Sequence, residues 1–217
     1  MKLSKEELRK AMQLYAVTDS MWLNGRTLED VVEETLQAGT TFLQIREKNL
    51  NPEAFEALAR RVRKKAEKYH IPFVVNDEVE LAAHIDADGV HIGQSDMELA
   101  RARRILGPDK IIGVSAQTVE QALRAERGGA DYLGVGAVFS TSTKADASEV
   151  SLEQLKAICE AVSIPVVAIG GIGLQNIQKL KGTGIDGVAV VSAIFASGDI
   201  PGATSALRDE TEKMLEG

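Results

Sequence analysis

The feature that most restricts what this chain can fold into is an eightfold alternation running along its length. Short apolar, β-branched runs fall at 14–18, 41–46, 73–75, 89–92, 111–114, 132–135, 165–169 and 187–191. Each has the length and β-branched composition of a strand. Between them, apolar residues recur at helical spacing over 28–39, 52–69, 79–85, 97–106, 118–127, 152–162, 175–181 and 203–215. The first of these segments ends on Gly39, as a helix C-terminus does. Ser4 and Glu7 have the spacing of a capping box, which predicts an additional leading helix. Eight strand–helix units in 217 residues predict an α/β protein, a single (β/α)8 TIM barrel spanning 1–217. A doubly wound open sheet is the competing architecture. No Ser- or Pro-rich linker and no low-complexity run divides the series.

Side chains along a strand alternate between faces. In "TFLQIREK", Leu43 and Ile45 therefore share one face, while Gln44, Arg46 and Lys48 share the other. When helices cover the outside of a sheet, the apolar face belongs to them and the polar face points into the barrel mouth. "VND" places Asn76 and Asp77 at the end of the third strand, and "GVHIGQSD" runs from His91 to Asp96 past the fourth. Polar groups thus collect at strand C-termini, the end of a barrel where catalytic residues sit.

Asp77 and Asp96 follow consecutive strands, and two hard oxygen donors with room for water suit Mg2+. Taken singly, either residue reads equally well as a turn former or helix cap. Arg46, Lys48 and Lys144 add cations to the same rim, enough to neutralise a diphosphate with its metal. Solvated surface charge is the plainer reading of each lysine alone. Lys144 follows Thr141, Ser142 and Thr143 in a stretch from 139 to 150 long enough to form a closing loop. "AIGGIG" and "VVSAI" end the seventh and eighth strands, where barrels commonly bind phosphate through backbone N–H groups. A tight turn is the competing reading of the glycine pair.

Charge and composition exclude other classes. A net charge of −7 disfavours nucleic acid as a partner. No apolar run reaches the length of a membrane span, and the N-terminus is charged from Lys2, so a cytoplasmic protein is expected. The lone cysteine, Cys159, lies among Leu152, Leu155, Ile158 and Val162 at helical spacing and reads as a core residue. The basic run 60–68 reads as a solvated helix face, His70 and His84 as surface histidines, and His91 as an inward residue with a structural hydrogen bond. Tyr15 and Trp22 read as core or pocket lining, and Gly134 and Gly136 as relief of crowding near the barrel axis.

The motifs "QIREK", "VND", "GVHIGQSD", "GVSAQT", "YLGVGAVFSTSTK", "AIGGI" and "VVSAI" occur in an order and spacing that resemble the thiamine phosphate synthase family, from Leu14 to Ile194. The resemblance implies a TIM barrel that joins 4-amino-2-methyl-5-hydroxymethylpyrimidine diphosphate to 4-methyl-5-(2-hydroxyethyl)thiazole phosphate, releases pyrophosphate and uses Mg2+. It implies that Gln44, Ile45, Arg46, Glu47, Lys48 and Asn76 hold the pyrimidine diphosphate, with Ser115 and Lys144 on its diphosphate. Asp77 and Asp96 would take the metal. Thr141, Ser142, Thr143, Gly171, Val191 and Ser192 would surround the thiazole phosphate. Arg46, Lys48, Ser115 and Lys144 are the residues expected to act on the departing group, by a dissociative path that needs no protein nucleophile. In that family a proline usually precedes the first loop threonine; here the position is Ser140, which predicts a less preorganised loop. A related branch with thiazole tautomerase or regulatory roles is the alternative, and a metal-free barrel isomerase or aldolase, with Lys48 as its only candidate Schiff-base lysine, is the more distant one.

Overall fold

A computed structural model of the chain describes residues 3–140 and 149–216. It contains a closed barrel of eight parallel strands in sequential order, so the predicted fold class is the one observed and the open sheet is not. The strands are β1 (Leu14–Val17), β2 (Phe42–Ile45), β3 (Phe73–Asn76), β4 (Gly89–Ile92), β5 (Ile111–Ala116), β6 (Tyr132–Val135), β7 (Val166–Ile169) and β8 (Gly187–Val190), with β8 pairing back to β1. The helices are α1 (Lys5–Ala11), α2 (Leu28–Gln37), α3 (Pro52–Lys68), α4 (Val79–His84), α5 (Leu99–Leu106), α6 (Val119–Arg127), α7 (Leu152–Ala161), α8 (Ser192–Phe195) and α9 (Ile200–Leu215).

Local chemistry accounts for the element boundaries. Ser4 and Glu7 form the reciprocal capping box that starts α1. The side chain of Thr27 caps α2, and Gly39 follows that helix with φ +118°. Asn51 caps α3, with Pro52 in the first turn, where its missing N–H costs no hydrogen bond. The segment predicted at 175–181 shortens to a 3-10 turn, Ile177–Leu180, because the Asn176 side chain is engaged with the preceding loop and Gly182 and Gly184 follow with positive φ. α9 begins at Ile200 rather than 203, since the Asp199 side chain accepts from Gly202 N and Pro201 fits the first turn. α5 begins at Leu99 rather than 97. The short helix α8 carries too few residues for any periodicity to reveal it.

Two apolar layers follow from strand alternation. Leu43, Ile45, Val75, Val90, Ile92, Ile112, Val114, Leu133 and Val166 face the helices and join Val31, Val32, Leu36, Leu58 and Val62 in the outer core. Tyr15, Val17, Phe42, Val74, Ile111, Tyr132, Val167 and Ala189 fill the barrel, with Leu8 and Met12 from the leading helix and its end packed into the same cluster. Tyr15, Phe42 and Tyr132 meet edge to face there, with ring centroids 4.6–5.9 Å apart. Gly113 makes this possible: a Cβ at that position would stand 2.1 Å from Tyr132 Cζ.

Candidate active site at the strand C-termini

Above the aromatic layer, β2 to β5 each send one polar side chain inward: Gln44, Asn76, His91 and Ser115. The register explains the alignment, because Asn76 lies beside His91 and Gln44 beside Val74 in the parallel ladders. β5 is longer than the predicted 111–114, and the extension brings Ser115 onto the strand. Gly134 leaves space for the imidazole, since a Cβ there would lie 3.0 Å from His91 Cε1.

These groups are joined by hydrogen bonds. Tyr15 Oη donates to Gln44 Oε1 (2.6 Å), Gln44 Nε2 to Asn76 Oδ1 (2.6 Å), and Asn76 Nδ2 to Asp77 Oδ2 (2.6 Å). On the other side, Tyr15 Oη and Tyr132 Oη are 2.8 Å apart, Tyr132 Oη lies 3.0 Å from His91 Nδ1, and His91 Nε2 lies 3.0 Å from Ser115 Oγ. Burial pushes both tyrosine hydroxyls above their ordinary pKa, so they remain protonated and serve as hydrogen-bonding groups. Tyr132 is absent from the residues singled out in the sequence, and Tyr15 is left between core and pocket there. Their inward parity and the facing Gly113 were the available signals.

The rim segment after β2 is fixed from β1. Thr18 Oγ1 accepts from Arg46 N (2.9 Å) and donates to Arg46 O (3.3 Å). Asp19 Oδ2 stands 3.7 Å from the Arg46 guanidinium, and Ser20 Oγ donates to Glu47 Oε1 (2.6 Å). Burial raises the Glu47 pKa against the lowering effect of that Ser20 bond. Arg46 is half-buried and Lys48 exposed, both beyond the end of β2. Ile45 departs from the expected set: its side chain is fully buried on the helix-facing side, because the strand period turns it away from the mouth.

Asp77 and Asp96 are exposed at the ends of the adjacent strands β3 and β4. Asp77 has φ +63°, and its amide donates to His91 O (2.8 Å), which fixes one strand end to the next. Asp96 Oδ2 accepts from Gly93 N (2.6 Å). A small hard cation that keeps several waters needs only one or two carboxylates, and this donor set fits Mg2+. Among the described residues there is no group of three His, Cys, Asp or Glu side chains of the kind a closed protein cage for a softer metal requires.

Across the mouth, Gly170 (φ +101°) and Gly171 (φ +64°) follow β7. A Cβ on Gly171 would stand 2.4 Å from Ser140 O, so glycine is needed where the two loops touch. Asn176, not expected from sequence, shapes this turn by accepting from Gly173 N (2.9 Å) and donating to Gly171 O (2.8 Å). Val191 is half-buried beside the barrel interior, and Ser192 is the exposed first residue of α8. Loops after the seventh and eighth strands with a short extra helix are a recurrent phosphate-binding arrangement of this fold. Thr141, Ser142, Thr143 and Lys144 lie outside the described residues.

Outside the mouth, the Cys159 thiol is pushed up to about 12, chiefly by burial and then by the nearby Asp186, which removes it as a nucleophile near neutral pH. His84 ends α4 and His70 is exposed. The basic face of α3 is paired across to α2, with Arg61 on Glu29 and both Lys65 and Lys68 on Glu33. No described helix is long and apolar enough to cross a membrane.

Comparison with known proteins places this geometry among relatives. A family model described as thiamine monophosphate synthase matches residues 14–194. A thiamine-phosphate synthase of Clostridium tetani is 50% identical over 194 residues, covering 89% of this chain and 93% of that protein. The corresponding protein of Clostridium novyi is 48% identical over 196 residues, covering 90% and 96%. The structure of a thiamine phosphate pyrophosphorylase from Pyrococcus furiosus superimposes with a TM-score of 0.89 at 41% identity, over 96% of this chain and 99% of the other. A geranylgeranylglyceryl phosphate synthase from Thermoplasma acidophilum, 14% identical with a TM-score of 0.71 over 98% and 99%, shares the fold.

Proposed function

The chain belongs to the thiamine monophosphate synthase family, and from that premise we propose how its rim divides two substrates between them. The protein is a transferase of thiamine biosynthesis, a thiamine phosphate synthase. It condenses the pyrimidine diphosphate with the thiazole phosphate and releases pyrophosphate. The observation that carries the division is the placement of polar groups: Gln44, Asn76, His91 and Ser115 line the β2–β5 side, while the positive-φ glycines and α8 occupy the β7–β8 side.

The pyrimidine diphosphate is assigned to the β2–β5 side, with Gln44 and Asn76 on the ring and Arg46, Lys48, Ser115 and Lys144 on the diphosphate. Glu47, tied to Ser20, braces the segment that carries Arg46 and Lys48. Thr141, Ser142, Thr143, Gly171, Val191 and Ser192 are assigned to the thiazole phosphate. Asp77 and Asp96 would hold Mg2+, which when bound neutralises charge on the departing pyrophosphate. Arg46, Lys48 and Lys144 stabilise the same negative charge as the C–O bond breaks, and the electron-rich aminopyrimidine bears positive charge at its exocyclic carbon. The thiazole nitrogen then captures that carbon, so the protein orients both partners and contributes no covalent step. A cytoplasmic, single-domain protein acting on small molecules, with no nucleic-acid partner at a net charge of −7, completes the reading.

Incubating the purified protein with both heterocyclic phosphates, with and without Mg2+, and measuring thiamine phosphate and pyrophosphate tests it. Metal-dependent formation of both products in equal amounts is expected. Binding of the thiazole phosphate without product would instead point to the tautomerase or regulatory branch.

A further inference from the structure

The hydrogen-bond chain across the barrel interior has a direction, and one end sets it. The Asn76 amide turns its N–H2 toward Asp77 Oδ2 and its oxygen toward the Gln44 N–H2. Gln44 then donates to Asn76, which leaves Gln44 Oε1 to accept from Tyr15. With its proton spent there, Tyr15 Oη can only accept from Tyr132 Oη at 2.8 Å. Tyr132 has in turn spent its own proton and accepts from His91 Nδ1 at 3.0 Å. A neutral imidazole that donates through Nδ1 accepts through Nε2, so the Ser115 hydroxyl hydrogen points at His91.

We propose that Tyr15 and Tyr132 are positioning residues of the pyrimidine side. They carry the polarity of the Gln44–Asn76 amide pair across the barrel, hold His91 in its Nδ1–H tautomer, and keep the Ser115 hydroxyl turned inward until a substrate oxygen draws it out. Neither tyrosine reaches the mouth, with exposures of 1% and 0%, and Tyr15 hydrogen-bonds Gln44 and Tyr132, not His91 itself. The effect rests on the substrate assignment made above only where it concerns turnover; the tautomer is a property of the free protein.

The test is the 15N signature of His91 in the free full-length protein and in Tyr132→Phe and Tyr15→Phe, with denaturation curves to verify folding. The wild type is expected to show Nδ1–H. In Tyr132→Phe the hydroxyl that faces Nδ1 is replaced by hydrogen. In Tyr15→Phe, Tyr132 loses its own acceptor and donates to His91 Nδ1 instead. Both variants are therefore expected to show Nε2–H, which frees the Ser115 hydroxyl for the diphosphate. The KM for the pyrimidine diphosphate should then fall by about threefold or more while that for the thiazole phosphate stays within about twofold, the scale of one hydrogen bond. An Nε2–H wild type, or Nδ1–H persisting in Tyr15→Phe, overturns the proposal, as does a parallel rise of both KM values. Since the tautomer is read without substrate, absence of synthase activity would strike the functional assignment and leave this result standing.

Discussion

The hydroxyl oxygens of Tyr15 and Tyr132, 117 residues apart in sequence, lie 2.8 Å from each other inside the barrel. Gly113 stands directly against the Tyr132 ring, whose Cζ lies 2.1 Å from where a Cβ on residue 113 would be. Gly113→Ala should therefore displace a fully buried tyrosine and destabilise the fold by about 1–3 kcal/mol, the usual cost of overpacking. Urea unfolding compared with wild type measures this, and an unchanged midpoint would show that the layer yields without strain.

Asp96→Asn tests the metal assignment with little disturbance of the loop, because an amide oxygen can still accept from Gly93 N. The concentration of Mg2+ needed for half-maximal product formation should rise by about tenfold or more, as expected when one of two carboxylate donors loses its charge. Titrating activity against Mg2+ decides the matter, and an unshifted curve would remove Asp96 from the site.

Lys144→Ala should lower kcat by about 10²-fold or more, the scale of losing one donor to a developing negative charge. Steady-state kinetics at saturating substrates provide the number. An unchanged kcat would end the assignment of this lysine to the departing pyrophosphate.

The Glu33 carboxyl is held at about 2, below its ordinary 4.5, by hydrogen bonds first from Lys65, then Lys68 and Tyr69. A depressed folded-state pKa stabilises the fold above the unfolded value, and the contribution is lost as pH falls from about 4.5 toward 2. The thermal midpoints of wild type and Glu33→Gln should accordingly differ at pH 6 and converge near pH 2. The carboxyl is solvent-accessible, so added salt should shrink the difference at pH 6. A gap independent of pH would show that the substitution acts through packing.

Much of the barrel was legible because its signals are local. Leu43 and Ile45 against Gln44, or Val90 and Ile92 against His91, are period-two patterns that need no knowledge of the rest of the chain. Asp77 and Asp96 were placed on one rim by topology alone, since every strand of such a barrel ends on the same side. What stayed hidden depends on contacts between distant elements. The partners of Tyr15 lie on β2 and β6, and no spacing along the sequence brings a β1 hydroxyl to one on β6. Nothing along the sequence marks Ser20 as the partner of Glu47, and Asn176 falls in an expected helical segment until its amide spans the Gly171–Gly173 turn. Ile45 was gathered into the substrate set by its place in a motif, although its own alternation already turned it outward.

Leu8 and Met12 pack into the interior cluster from below. Among the described residues the barrel therefore has a floor at one end and its polar side chains at the other. With the site placed as proposed, substrates and products would share that upper end. On the proposed assignment, pyrophosphate held beside Arg46 and Lys48 would obstruct the next pyrimidine diphosphate. Turnover would then depend on how quickly that end empties as well as on how quickly the chemistry runs.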